Sequence, residues 1–583
     1  MLVLLRNVLK SEIAVAATVV LAAGLRLAGL TSKSLWFDET VSIFLAGQPV
    51  ERLLTLVVAN DTHPPLYYLL LRAWTALFSS GEAEVRALSV LISVLVVIVT
   101  LAFGRRLAGP VPALLAGLLV TVAPSQVAAG QEARMYGLLT LVSLVSWWAL
   151  WEAVVSDPGS PQACAAGGGR SRCGGGREPA VWVTYATAAA AMLYTHYFGL
   201  FVLASQGAFL LVRRPTPGAK RLRGKLAMPS AVQRPTAGAK WRLRAIGVLG
   251  AVILFLPWVP AFALQLAGGR AWPEHRQPLG LNLPVDTVAA MTVGRPVVGP
   301  IVGPVGPAGT RIEMQGQPAA RTPADGSDRR NTAVRWIAAL GFAAAMALAA
   351  AGTCSRQLSR DARALLLCAG LLPLVLALGA SLVRNIFAPR YMLFITPPIA
   401  LLIGAGAAAF ATSGRRIHNA MREGGGASGG GGAWPVALTV ALVFVVILPN
   451  LLGLASFYRQ PALDVFDWRK VARALAAQAR DDDAVVFLPG FSRIPVDYYF
   501  RGPQLRLVLT PRGEDVEGPG SARMAEVVGV LARHPRVWIL TVPPVPPAVG
   551  VLVESLSQQG FAVQRLQTVN MVRLILLEGK AHP

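Results

Sequence analysis

Apolar stretches about 20 residues long, enough helix to cross a hydrocarbon core of about 30 Å, recur throughout this chain. Eleven are recognisable, at approximately 13–30, 85–104, 111–129, 135–151, 180–196, 197–213, 245–265, 335–353, 363–383, 391–412 and 434–456, each carrying almost no Asp, Glu, Lys or Arg. With 54% of its 583 residues hydrophobic and 14% charged, the chain is too apolar for a water-soluble globule and too long for one compact unit. The expected fold is a polytopic α-helical membrane domain over 1–456, followed by a soluble tail over 457–583.

A formal charge of +24 would elsewhere raise nucleic acid as a partner. Here Lys and Arg sit in short loops between apolar runs, as they do on the cytoplasmic side of membranes, so no nucleic acid is expected. Alternate loops carry them: Arg105 and Arg106; Arg170, Arg172 and Arg177; the basic stretch 213–244; Arg356 to Arg363; and Arg415, Arg416 and Arg422. Placing those loops inside puts the N-terminus in the cytoplasm and segments 31–84, 130–134, 266–334, 384–390 and everything after 457 outside. The expected location is a bacterial inner membrane. Arg6 and Lys10 before the run from Ile13 resemble a signal peptide, yet the continuation into further spans favours an uncleaved anchor. Cys164, Cys173, Cys354 and Cys368 show no metal-ligand spacing and give no disulfide framework.

The segment "PLYYLLLRAWTALF" from Pro65 would invert every later loop if it were a twelfth span. It is read instead as a juxtamembrane helix, short, broken by Arg72 and rich in Tyr and Trp. "AAGGGRSRCGGGR" and "EGGGASGGGG" read as cytoplasmic linkers, and 266–334 as a Pro- and Gly-rich outer loop in which 282–291 has helical character. After 457 the composition is that of a small α/β domain. "DWRKVARALAAQAR" and 520–533 read as helices, and "AVVFLP", "LRLVLT" and "RVWILTV" as buried strands. That domain carries neither G-x-G-x-x-G nor G-x-x-x-x-G-K-[ST], so nucleotide binding gains no support.

Ionisable residues gather in the outer loops. "LWFDETVS" holds adjacent carboxylates, Asp38 and Glu39, flanked by Trp36 and Phe37 at headgroup level; a helix N-terminus, where the dipole favours acids, explains them equally well. "NDTHPPLYY" sets Asp61 and His63 before two prolines, where His63 binds phosphate, holds a metal or merely caps the juxtamembrane helix. "GQEARMYG" forces Gln131, Glu132, Arg134 and Tyr136 close to the membrane surface, and "VRNIFAPRYM" brings Arg384 and Arg390 beside Tyr391. Outer arginines run against the positive-inside bias, although snorkelling from a helix end is a common alternative. His196 in "YTHYFG", a lone His among aromatics, reads as structural. The spans look almost free of charge, which argues against a secondary transporter with a midplane site; a flippase of a lipid-linked sugar stands as the second reading.

At "SLWFDETVS", "DTHPPLYYLLLRAW", "VRALSVL", "QEARMYGLL" and "APRYMLFITPPIALL" the chain resembles the GT-C membrane glycosyltransferases. The resemblance covers most of residues 1–412 and is to the protein-O-mannosyltransferase and lipid A aminoarabinose transferase group, glycosyltransferase family 39-like. It implies a multi-span bundle with juxtamembrane helices in the first outer loop and a sugar donor carried on polyprenyl phosphate. It implies Asp38 as the catalytic acid of that loop, with Glu39 as its neighbour. The pair before "PPL", usually an acid then Lys in the aminoarabinose group, is Thr62 and His63 here, so His63 stands where a phosphate-binding Lys is implied. "DWR" at Asp467 to Arg469 looks like the tail of bacterial members.

On this reading Asp38 acts as general base on an acceptor hydroxyl and the anomeric carbon is inverted. Arg134 and Arg390, with His63 and Tyr391, hold the departing phosphate. Asp61, Glu132 and Tyr136 orient these groups or the acceptor. A divalent metal bridging Asp38 and His63 is an option that two or three outer ligands do not establish. The expected partners are the lipid-linked donor, an extracytoplasmic glycolipid, glycan or protein hydroxyl, and the bilayer.

Overall fold

The computed structural model describes residues 12–155, 177–212, 247–268, 283–293, 326–384, 386–423, 434–459, 466–507, 522–543 and 545–579. Nearly all of both Gly-rich linkers, the basic stretch 213–244 and most of 266–334 lie outside the described residues. Each of the eleven apolar stretches is helical. Among the described residues seven helices are long and apolar enough to cross a membrane, or eight if one bent pair counts as a single span. Length and composition therefore support fewer crossings than the eleven stretches: Glu12–Leu27 and Gly199–Val212 have only 16 and 14 residues, and Arg177–Thr195 is not among the helices that qualify. The segment from Pro65 forms the 13-residue helix Leu66–Phe78, which is too short to span.

One continuous apolar core runs through the bundle from Ala22 to Val446. Large side chains such as Leu211, Leu382 and Val383 face outward, Val383 at 93% exposure, as a lipid-contacting surface requires. The segment Pro389–Ser413 is the most buried of the spans. Glycine lets neighbouring backbones approach it: a Cβ at Gly406 would lie 1.8 Å from the Leu348 carbonyl, and one at Gly404 2.4 Å from that of Pro112. Small residues serve this purpose in lipid, where helices gain nothing from hydrophobic burial against each other.

The bent pair Pro110–Val122 and Pro124–Gly130 turns by 63°. Pro124 has no N–H, so the Val120 carbonyl loses its partner four residues on. Arg26 supplies it. Its guanidinium donates to the carbonyls of Val120 and Thr121, both at 3.3 Å, and to Ser93 Oγ at 2.6 Å. The expectation that the spans carry almost no charge is thus corrected at two buried arginines, Arg26 and Arg86, each at the loop end of its helix.

Beyond Arg459 the chain forms a five-stranded sheet in the order β2-β1-β3-β5-β4. The strands are β1 (Ala484–Leu488), β2 (Arg506–Leu507), β3 (Arg536–Thr541), β4 (Phe561–Val569) and β5 (Val572–Gly579). β1 pairs in parallel with β2 and β3, while β5 is antiparallel to β3 and β4. Alternate residues divide between two cores, as the period of two dictates. Val486, Ile539 and Leu577 face helices Ala522–Leu531 and Pro547–Gln558, whereas Phe487, Trp538 and Leu576 face Trp468–Ala476. The sequence reading found β1, β3, the helices Trp468–Ala476 and Ala522–Leu531 and, within "LRLVLT", β2, but neither helix Pro547–Gln558 nor the hairpin β4–β5.

The sheet unit docks on the segments around Thr31–Phe37 and Ser80–Glu82. Arg469, capped into helix Trp468–Ala476 behind Asp467, donates to both oxygens of Glu82 and to the Thr31 carbonyl. Tyr498 donates to the Ser80 carbonyl at 2.8 Å, Leu35 N–H donates to the Tyr499 hydroxyl at 2.7 Å, and Phe491 packs edge-on against Phe37 at 4.9 Å. Arg469→Ala is expected to weaken this docking by about 1 kcal/mol. Limited proteolysis should release the tail faster than in wild type, with the released sheet domain still resistant.

Candidate active site

Helix Phe37–Ala46 opens with the Trp36 carbonyl accepting the N–H groups of Glu39 and Thr40, both at 3.1 Å. Glu39 reaches back to the Trp36 N–H at 3.2 Å, the reciprocal half of a capping box. Adjacent helical positions point about 100° apart, and that rotation gives the two carboxylates opposite surroundings. Glu39 is fully buried and holds Arg86 through both oxygens, at 2.7 and 2.9 Å, while accepting the Ala133 N–H at 2.8 Å. Arg86 also donates to the carbonyls of Leu30, Lys33 and Ser34. Asp38 turns the other way and stays 24% exposed.

Asp38 faces two guanidinium groups. Its Oδ2 lies 3.6 Å from Arg134 Nη2 and 4.0 Å from Arg390 Nη1. Arg134 also donates to the Asp38 carbonyl and to Ser42 Oγ, at 3.2 and 3.1 Å. Arg390 stands over the rings of Trp36, Tyr136 and Tyr391 at 5.5–5.8 Å from their centroids, a cation held by aromatic faces. Arg134 Nε and Arg390 Nη1 are buried and make no hydrogen bond. The sequence-predicted residues Asp38, Arg134, Arg390, Tyr136 and Tyr391 thus meet in one place.

Asp61 and His63 form the adjoining wall. Asp61 Oδ1 accepts the His63 N–H and lies 3.0 Å from His63 Nδ1. Burial opposes ionisation of Asp61, but the hydrogen bond and charge of His63, with the charge of Arg134, outweigh it and bring the carboxyl down to about 2. Burial lowers His63 in spite of the hydrogen bond and charge of Asp61. The His63 ring lies 6.3 Å from that of Tyr391 and 5.0 Å from that of His196. His63 therefore partners Asp61 and not Asp38, and no group of three or more His, Cys, Asp or Glu suited to a metal occurs among the described residues.

Glu132 is buried a few residues from Arg134. Burial and the nearby Glu39 charge raise its pKa to about 7 against the pull of Arg390, Arg86 and Arg134. Lys33, beneath the same loop, donates to the Phe457 carbonyl at 2.6 Å and lies over the Phe457 ring. Burial lowers it to about 8, with Glu132 pulling it back up.

Residues 62–162 match the family described as dolichyl-phosphate-mannose-protein mannosyltransferase. Among solved structures, apo ArnT from Cupriavidus metallidurans is 14% identical with a TM-score of 0.50, over 96% of this chain and 97% of that one. The fold is GT-C. Archaeal oligosaccharyltransferase AglB from Archaeoglobus fulgidus, in complex with an inhibitory peptide and a dolichol-phosphate, is 12% identical with a TM-score of 0.52, over 96% of this chain and 73% of that one. No curated protein matches the chain. The GT-C likeness read from sequence motifs in the first 412 residues agrees with both findings.

Within this GT-C fold the structure adds residues that the sequence reading passed over. Arg86 was visible only as part of "VRALSVL". His196, read as structural, packs 4.7 Å from the Tyr391 ring and 5.0 Å from His63. Arg72, the residue that broke the juxtamembrane helix in sequence, donates to the Ala46 and Gln48 carbonyls and so caps helix Phe37–Ala46.

Two predictions separate the neighbouring acids and the titrating one. Glu39→Gln leaves Arg86 buried without its countercharge and is expected to cost about 3–5 kcal/mol, seen as a lower melting temperature in detergent; Asp38→Asn should melt with wild type. For Glu132, a folded pKa raised to about 7 gives stability that is full below the ordinary carboxylate range and lost as the pH rises through 7. Melting temperatures measured from pH 4 to 8 should fall in wild type relative to Glu132→Gln, with the difference levelling off above pH 7.

Proposed function

We propose that this chain is a membrane glycosyltransferase that moves a sugar from a polyprenyl-phosphate donor to an extracytoplasmic acceptor hydroxyl, inverting the anomeric carbon. The observation that carries this reading is the partly exposed Asp38 carboxylate, held 3.6 and 4.0 Å from the buried Arg134 and the half-buried Arg390, each of which keeps one buried, unbonded guanidinium nitrogen. A base and the cations for an anionic leaving group then share one pocket. The family match over 62–162 and the dolichol-phosphate named with the similar AglB support a lipid-phosphate donor. Alternation of the basic loops supports a cytoplasmic N-terminus, a catalytic face outside, and residues 457–583 as an outer α/β domain on a transferase domain of 1–456.

In this mechanism the acceptor oxygen attacks the anomeric carbon from the face opposite the phosphate. Its proton passes to Asp38, the carbon–oxygen bond to phosphate breaks, and the lipid phosphate leaves with the electron pair. The base needs no raised pKa, because the hydroxyl loses its proton only as the new bond forms. Charge growing on the phosphate strengthens its bonds to Arg134 and Arg390 as the transition state is reached. Asp61 fixes His63 through Nδ1 and leaves Nε2 toward the donor. Tyr136 and Tyr391 wall the pocket, and Glu132, half-protonated near neutrality, sits close to the phosphate with less repulsion than a full carboxylate. Glu39 serves as scaffold, its acceptor capacity taken up by Arg86 and two backbone N–H groups.

Proteoliposomes supplied with a radiolabelled sugar on polyprenyl phosphate and an envelope extract as acceptor provide the test. Asp38→Asn is expected to lower transfer at least about 100-fold with unchanged folding, and undiminished transfer by this variant would remove Asp38 from the mechanism. Movement of the labelled lipid between leaflets with no glycosylated product would identify a flippase instead.

A further inference from the structure

We infer that His196 is a further ligand of the donor phosphate, offering its uncharged Nε2–H to a phosphate oxygen; the inference rests on the donor reading above and extends its site. His196 follows helix Arg177–Thr195 in a tight turn, its N–H bonded to the Met192 carbonyl and its own carbonyl accepting the Gly199 N–H. The side chain is 4% exposed. Nδ1 accepts the Phe198 N–H at 3.1 Å, which commits the lone pair on that nitrogen. A neutral imidazole with an accepting Nδ1 carries its hydrogen on Nε2. Nε2 is buried and finds no protein acceptor.

The ring lies among the donor-site residues. Tyr391, His63 and Tyr136 approach it at centroid distances of 4.7, 5.0 and 6.4 Å, and Phe198 closes the remaining side at 5.2 Å. Because Nδ1 accepts an N–H, it carries no proton of its own and the ring is neutral. His196 is thus a fixed, uncharged donor. An anion already flanked by Arg134 and Arg390 fits it, because the buried N–H needs an acceptor and a phosphate oxygen is acceptor only.

The experiment measures undecaprenyl phosphate affinity for the full-length protein in nanodiscs, at pH 6 and pH 8. His196→Asn keeps an acceptor for the Phe198 N–H through Oδ1 but has no group at the Nε2 position. It is expected to bind undecaprenyl phosphate about tenfold more weakly or worse, equally at both pH values, with His196→Gln recovering part of the loss. Arg134→Gln should also bind weakly. If Arg134→Gln loses affinity while His196→Asn binds as wild type, the inference is overturned and the donor reading stands. If wild type itself fails to bind undecaprenyl phosphate, both fall. Should His196→Asn melt early, His196→Phe, which preserves the ring packing, is read by the same criteria.

Discussion

The buried ion pair between Glu39 and Arg86 organises the loop end of the bundle that carries Asp38. Arg86 belongs to the helix Glu82–Ala108 and gathers the carbonyls of Leu30, Lys33 and Ser34, while Glu39 collects the N–H groups of Trp36 and Ala133. Two loops and one span are thereby fixed to a single pair of opposite charges, 2.7 Å apart. Desolvating two ions is costly, and such a pair contributes less to net stability than to a defined arrangement. What it arranges is Asp38 on one side of the junction and Arg134 on the other, brought within reach of each other through Ala133, the neighbour that Glu39 holds.

Much of this was legible in the sequence, and the parts that were not have identifiable causes. Helices were legible because lipid demands long uncharged runs. β1 and β3 were legible because strands buried on both faces are apolar throughout. The β4–β5 hairpin was not, because its turn is Asn570–Met571, with φ of 48° and 75°; tight hairpins of this kind usually announce themselves with Asn-Gly. Asp38 and Glu39 are equivalent in sequence and differ only in direction around a helix. Arg26 and Arg86 were hidden because a charge near the end of an apolar run reads as a loop residue, whereas both are buried and bonded to backbone carbonyls. For His196 the missing information was the tautomer, set by a contact with Phe198 two residues away.

The sheet unit bears on the site through the segment just before Asp38. Leu35 is bonded to Tyr499 and Phe37 packs against Phe491, so two of the three residues preceding the carboxylate touch the tail. Trp36, between them, lies beneath Arg390. The loop is therefore clamped from below by Arg86 and from above by the sheet unit, and Asp38 is placed by both.

That clamp joins positions 464 residues apart in the chain. Leu35 leaves the ribosome long before Tyr499 does, so the bond between them has to wait for the sheet unit to be made. A half-made chain already holds its first membrane helices, yet the loop that carries Asp38 lacks its second clamp until the sheet unit folds back onto it.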